Sequence, residues 1–209
     1  MIKNMIQLQL TSIEDNLYAK VCLEVMNHIY SKINFVIDEN ETISEQNYMM
    51  TFAYLLGCKL KDENQLVGGE KEKVLHYLSS IQEVVSLRER LKRTGSVVTV
   101  KPDLVIHDSH NRQNMNRNNQ KMVIEAKTSK SLSSDSFCWD LVKLYAYVKE
   151  LEYNCAVYLI IGQKEGKINN LLGKYEENSL PNDDGLERIL LFVQQDVKSW
   201  PLVYKLKRE

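Results

Sequence analysis

Apolar residues recur every fourth position early in the chain, at Ile13, Leu17, Val21, Val25, Ile29 and Ile33, with Glu14, Lys20, Glu24 and Asn27 off that stripe. The spacing predicts an amphipathic helix over about 11–34, and Thr11 and Glu14 are spaced as a capping box. A second helix is predicted from Ser44 to Leu60, with Tyr48, Met49, Phe52, Leu55 and Leu56 inward. Glu45 lies on that same side, because residues three and four apart are helix neighbours. Gly68-Gly69 interrupts the pattern. Val74, Leu75 and Leu78 then read as the inner face of a short helix over 70–80, residues 83–91 as a strand, and Thr94-Gly95-Ser96 as the turn into 97–100.

Residues 101–130, KPDLVIHDSHNRQNMNRNNQKMVIEAKTSK, hold two apolar runs on either side of a polar, Asn-rich loop over 109–121. This is the pattern of a hairpin. Side chains alternate with period 2, so Asp103, Val105 and His107 share one strand face, and Val123, Glu125 and Lys127 share a face of the next. After the hairpin, Ser133 or Ser134 caps a helix predicted to reach about Glu152. Phe137, Leu141, Leu144, Val148 and Leu151 form its buried stripe, Asp140, Lys143 and Tyr147 its flank, and Trp139, Val142 and Ala146 an exposed apolar strip opposite. Residues 156–161 are continuously apolar, which suits a central strand covered on both faces. A helix over 164–176, a turn over 181–185, a buried strand over 189–193 and a short strand after Pro201 complete the chain. The order predicts an α/β fold with a mixed central β-sheet flanked by helices. The expected organisation is one domain over 1–209, with its core at about 44–195 and the N-terminal helix as an addition.

Two acids and a lysine on one side of a hairpin are the parts of metal-assisted phosphodiester hydrolysis. Glu125 and Lys127 have Cβ atoms about 7 Å apart on one face, leaving room for a metal ion and a water. Carboxylates supply hard oxygen ligands for Mg²⁺, which keeps several of its own waters. Bound metal lowers the pKa of a water and neutralises charge building on phosphate. A nearby lysine can orient that water, take its proton, or act as a point charge. All three roles remain open from the residues alone.

Pro102-Asp103, a spacer, and Glu125-Ala126-Lys127 together resemble the PD-(D/E)xK nuclease superfamily, whose fold is restriction-endonuclease-like. The resemblance implies metal ligation by Asp103, Glu125 and the main-chain carbonyl of Ala126, with Lys127 as the catalytic lysine and Mg²⁺ or Mn²⁺ as cofactor. An early helix often offers a glutamate to such a site, which makes Glu45 a candidate ligand. Thr42 and Glu45 also form a capping box, and this purely local role stays open. Lys101, Lys130, Lys143 and Tyr147 are the candidate nucleic-acid contacts.

Composition changes this picture little. The chain has 209 residues, 44% hydrophobic and 26% charged, with a formal net charge of −1 and a sequence pI near 6.5. A nucleic-acid ligand would therefore need a local basic surface rather than a polycationic molecule. Arg88, Arg90, Lys92 and Arg93 form one basic cluster, and Arg112 and Arg117 lie in the Asn-rich loop. Cys22, Cys58, Cys138 and Cys155 are scattered without zinc spacing, so reduced thiols are expected. No apolar run approaches a membrane span, and a cytoplasmic protein with no membrane partner is expected. The function expected is a DNA endonuclease in restriction, anti-phage defence or mobile-element processing. Its partners are then DNA, a second copy of the chain in a homodimer, or a partner protein of such a system. Two alternatives stay open: a nucleic-acid-binding or assembly subunit that retains the fold without turnover, and an RNA-processing nuclease.

Overall fold

The computed structural model describes residues 6–32, 44–61, 65–68, 73–93, 98–108, 119–128, 131–196 and 199–208. Its elements in chain order are β1 (Ile6–Leu10), α1 (Leu17–Lys32), α2 (Glu45–Leu60), β2 (Gln65–Gly68), β3 (Lys73–Leu75), α3 (His76–Ser79), α4 (Gln82–Arg90), β4 (Val98–Val100), β5 (Leu104–Asp108), β6 (Gln120–Lys127), α5 (Ser134–Lys149), β7 (Cys155–Ile161), α6 (Glu165–Glu177), a 3₁₀ turn (Asp184–Arg188), β8 (Ile189–Gln194) and β9 (Leu202–Arg208).

Strand β7 is buried at every position and lies in the middle of a seven-stranded sheet ordered β1-β9-β8-β7-β6-β5-β2. It pairs in parallel with β6 and β8, whereas β5–β6, β2–β5, β8–β9 and β1–β9 are antiparallel, so the sheet is mixed. Parallel neighbours require crossovers, and α5 and α6 supply them. Because β6, β7 and β8 advance across the sheet in one direction, both crossovers fall on one face. Strand alternation turns Val105, Val123, Tyr158, Ile160, Leu191 and Val193 toward that face, where they pack with α4, α5 and α6. The alternate residues Leu104, Ile106, Met122, Ile124, Val157, Leu159 and Phe192 pack with α1 and α2 on the other. The molecule is thus an α/β protein with a mixed sheet flanked by helices, as the pattern predicted.

Several local expectations are corrected. Residues 83–91 are not a strand: α4 buries Val84, Leu87 and Arg88, spaced three and four apart, and this period is helical. Within 70–80 only 76–79 is helical among the described residues, and 73–75 pairs with β4. The first helix begins at Leu17 rather than Thr11, since Asn16 Oδ1 accepts from Ala19 N at 2.9 Å and supplies the cap. Ahead of it, IQLQL forms β1, a strand that alternates in polarity along a sheet edge. The sheet accordingly extends beyond 44–195 to both β1 and β9. The supposed exposed strip on α5 is interior: Trp139, Val142 and Ala146 are buried among α4, α6 and the sheet. A homodimer through that strip is therefore excluded by packing.

Candidate functional site

Asp103, Glu125 and Lys127 meet at one end of the β5–β6 hairpin. Leu104 lies opposite Ile124 and Val105 opposite Val123, which brings Asp103, one step before β5, level with the end of β6. Asp103 Oδ2 accepts from Ala126 N at 2.8 Å and fixes that alignment. Farther out the ladder slips by one residue between Ile106 and His107. Pro102 is buried and has no N–H to satisfy, while Asp103 itself is exposed.

Glu125 points inward under α5. It is 1% exposed, and its Oε2 accepts from Lys143 Nζ at 2.6 Å. Its Oε1 is buried with no hydrogen-bond partner among the described residues. Burial raises the Glu125 carboxyl above its ordinary range, against the opposing pull of Lys143, with Asp140 and Asp103 adding to the rise.

Lys127 lies at the last position of β6. Its ammonium donates to the Ala126 carbonyl at 3.0 Å and to Glu45 Oε1 at 3.3 Å, and lies 3.5 Å from Asp140 Oδ2. Burial works against this ammonium, but Asp140, Glu45 and Asp103 outweigh it and hold its pKa above the ordinary value. Glu45 is the first residue of α2, and the cap comes from Ser44 Oγ, which accepts from Asn47 N. The Glu45 carboxylate thus faces the site. Thr42, the partner in the alternative capping box, lies outside the described residues. Beside Glu45 and Asp103 opens a cleft of about 400 Å³ walled by Met49, Ala53 and Leu104.

The candidate nucleic-acid contacts divide. Lys101 is exposed before the hairpin, and Lys130 lies outside the described residues. The surface role given to Lys143 and Tyr147 is corrected, because α5 turns both inward. Lys143 is 8% exposed, and burial of its ammonium is outweighed by Glu125 and Asp140, which hold the pKa well above its usual value. Tyr147 is fully buried, its hydroxyl has no hydrogen-bond partner among the described residues, and burial together with Glu125 raises its pKa. The basic cluster on α4 is also dispersed: Arg88 is buried, Arg90 pairs with Asp135 at 3.1 Å, and Arg93 lies over the Trp139 ring.

Two further side chains join this cluster from outside the motif. Asp140 is 3% exposed; its Oδ1 lies 2.9 Å from Lys143 Nζ, and its Oδ2 accepts from the Tyr158 hydroxyl at 3.1 Å and lies near Lys127. It joins the two lysines. Tyr158 sits opposite Glu125 in the β6–β7 register, and burial and Asp140 push its hydroxyl well above the usual value. The i, i+3 spacing of Asp140 and Lys143 was the available signal for the first; period 2 within β7 was the only one for the second.

Among the described residues, no three His, Cys, Asp or Glu side chains form a group that could hold a metal ion by themselves. Mg²⁺ is nevertheless commonly bound by one or two carboxylates with water and substrate oxygens completing its shell. Asp103, Glu125 and the Ala126 carbonyl fit that demand in chemistry, and Glu125 Oε1 is a buried carboxylate oxygen with no hydrogen-bond partner among the described residues. Among the described residues no helix is long and apolar enough to cross a membrane. Compared with protein-family models, curated proteins and solved structures, the chain matches none.

Proposed function

We propose that this chain is a Mg²⁺- or Mn²⁺-dependent nuclease on a restriction-endonuclease-like core, hydrolysing phosphodiester bonds in DNA as an endonuclease of restriction, anti-phage defence or mobile-element processing. The observation that carries the reading is the hairpin end, where Asp103 is tied to Ala126 N while Glu125 and Lys127 flank the same peptide unit. Asp103, Glu125 and the Ala126 carbonyl would hold the metal, with Glu45 beside them. When bound, the metal would supply an activated water and neutralise charge on the phosphate.

The chain's own residues do the rest. Lys127, ringed by the Ala126 carbonyl, Glu45 and Asp140, is held as an ammonium by its contacts. That favours a charge-stabilising and water-orienting role over proton abstraction. Asp140 positions Lys127 and Lys143, and Tyr158 positions Asp140 through its hydroxyl. The cleft beside Glu45 and Asp103 opens this end of the hairpin to solvent.

The test is nicking of supercoiled plasmid with added Mg²⁺ or Mn²⁺, with and without chelator, beside equal lengths of linear DNA and RNA. Chelator-sensitive cleavage of DNA is the expected result. Cleavage of RNA alone would move the chain to RNA processing. Binding to DNA without cleavage, under any divalent ion, would favour a non-catalytic subunit.

A further inference from the structure

We infer that the Lys143 ammonium is a built-in counter-cation standing where a second metal ion would bind, so that the site accepts one divalent cation only. The inference rests on the metal-dependent reading above and deepens it. Lys143 Nζ lies 2.6 Å from Glu125 Oε2 and 2.9 Å from Asp140 Oδ1, spanning the two most deeply buried carboxylates of the site. A second metal bridging those acids would need the same two oxygens. Of the Glu125 and Asp140 carboxylate oxygens, Glu125 Oε1 is the one with no hydrogen-bond partner among the described residues.

Charge leads to the same count. Metal binding requires deprotonated carboxylates, and with Asp103, Glu125, Asp140 and Glu45 all in that form they face the ammoniums of Lys127 and Lys143 with a surplus of two negative charges. One divalent ion neutralises that surplus, whereas a second would leave an excess of two positive charges beside the buried Glu125 and Asp140, which is unfavourable. The stem of Lys143 is held by α5, whose buried residues run without a break from Phe137 to Val148. The ammonium cannot be displaced outward without unpacking that helix. Lys143 is thus a positioning residue: it orients Glu125 toward one cation and does not itself meet the reacting atoms.

The experiment counts bound Mn²⁺ by loss of the free-ion paramagnetic resonance signal, with calorimetry alongside, for the parent, Lys143→Met and Lys143→Arg. The parent and Lys143→Arg are expected to bind one ion, and Lys143→Met two. Saturating Mn²⁺ is also expected to raise the unfolding midpoint of Lys143→Met more than that of the parent, because metal then replaces the missing charge. If Lys143→Met does not fold, Lys143→Gln is measured in its place with the same expectations. Two ions in the parent, or one in the folded Met or Gln variant, would overturn the inference and leave the metal-dependent reading intact. No Mn²⁺ bound by any of the proteins would defeat both.

Discussion

Lys127 Nζ lies 3.3 Å from Glu45 Oε1, joining the last residue of β6 to the first residue of α2. The contact brings two sheet faces together at one site, since α2 packs on the face opposite α5. Glu45→Gln removes the charge while keeping the side-chain shape, and the Ser44 cap remains. Cleavage is expected to weaken and to recover partly as Mg²⁺ is raised, with the unfolding midpoint nearly unchanged. Ser44→Ala is the complement: a loss of about 0.5–1 kcal/mol of stability with cleavage intact. Full activity of Glu45→Gln at limiting Mg²⁺ would remove Glu45 from the site.

The hairpin residues are expected to separate by role. Asp103→Ala and Glu125→Ala remove the proposed ligands, so Mg²⁺ binding by calorimetry should fall along with cleavage. Lys127→Ala should retain binding and lose turnover by a factor on the order of 10²–10³, the usual effect of deleting a group that acts mainly as charge develops. Cleavage by purified Asp103→Ala at the parental rate would sink the proposed nuclease site.

Gly185 lies in the 3₁₀ turn against α5. A Cβ there would stand 2.7 Å from Lys149 Cδ and 2.9 Å from Tyr145 Cε2. Gly185→Ala must therefore push both side chains aside and disturb the Tyr145 hydroxyl's bond to Asp183. The expected cost is about 1–3 kcal/mol, read by urea unfolding, with metal affinity unaffected.

Asp183 gives a pH signature remote from the site. Burial works to raise its pKa, but the Gly185 N–H, the Tyr145 hydroxyl and Lys149 outweigh it and hold the carboxyl below its ordinary value. A depressed folded pKa contributes stability above the unfolded value, about 3.9, and that contribution disappears as pH falls through the folded value. The stability gap between the parent and Asp183→Asn should thus be flat at neutral pH and close on acidification below about pH 4. A gap that widens in acid would contradict the assignment.

Trp139→Ala tests the corrected packing of α5. The ring is 2% exposed and carries Arg93 over its face, so truncation should cost about 3–5 kcal/mol. A merely exposed strip would yield little loss of stability and a change in oligomeric state by light scattering instead.

The sequence was most informative where one period dominated. The unbroken apolar run of β7 was legible because a strand covered on both faces has no polar side, and the hairpin strands because two short apolar runs flank a polar loop. Residues 83–91 misled because EVVSLRERL mixes an apolar pair with charges in a stretch too short for either period to prevail, and packing of Val84 and Leu87 beneath α5 decided for helix. The α5 strip misled for a related reason: amphipathic reasoning assumes one solvent face, and this helix has none along most of its length. Glu125 and Lys127 could be placed on one strand face from their spacing, whereas Tyr158 acquires its place beside Glu125 through the parallel register of β6 and β7, which no local pattern encodes, and Asp140 through the packing of α5 on that sheet face.

The pairing of β1 with β9 sets Ile6 opposite Arg208 and Leu10 opposite Tyr204. During synthesis, β1 emerges almost two hundred residues before its neighbour, and the sheet edge it occupies does not exist until β9 has docked on β8. Such distant closure is slow relative to local helix formation. The nascent chain must therefore carry an uncharged, strand-prone segment, IQLQL, through the whole of its elongation, and its exposure to other chains during that interval is fixed by ribosome speed rather than by the stability of the finished fold.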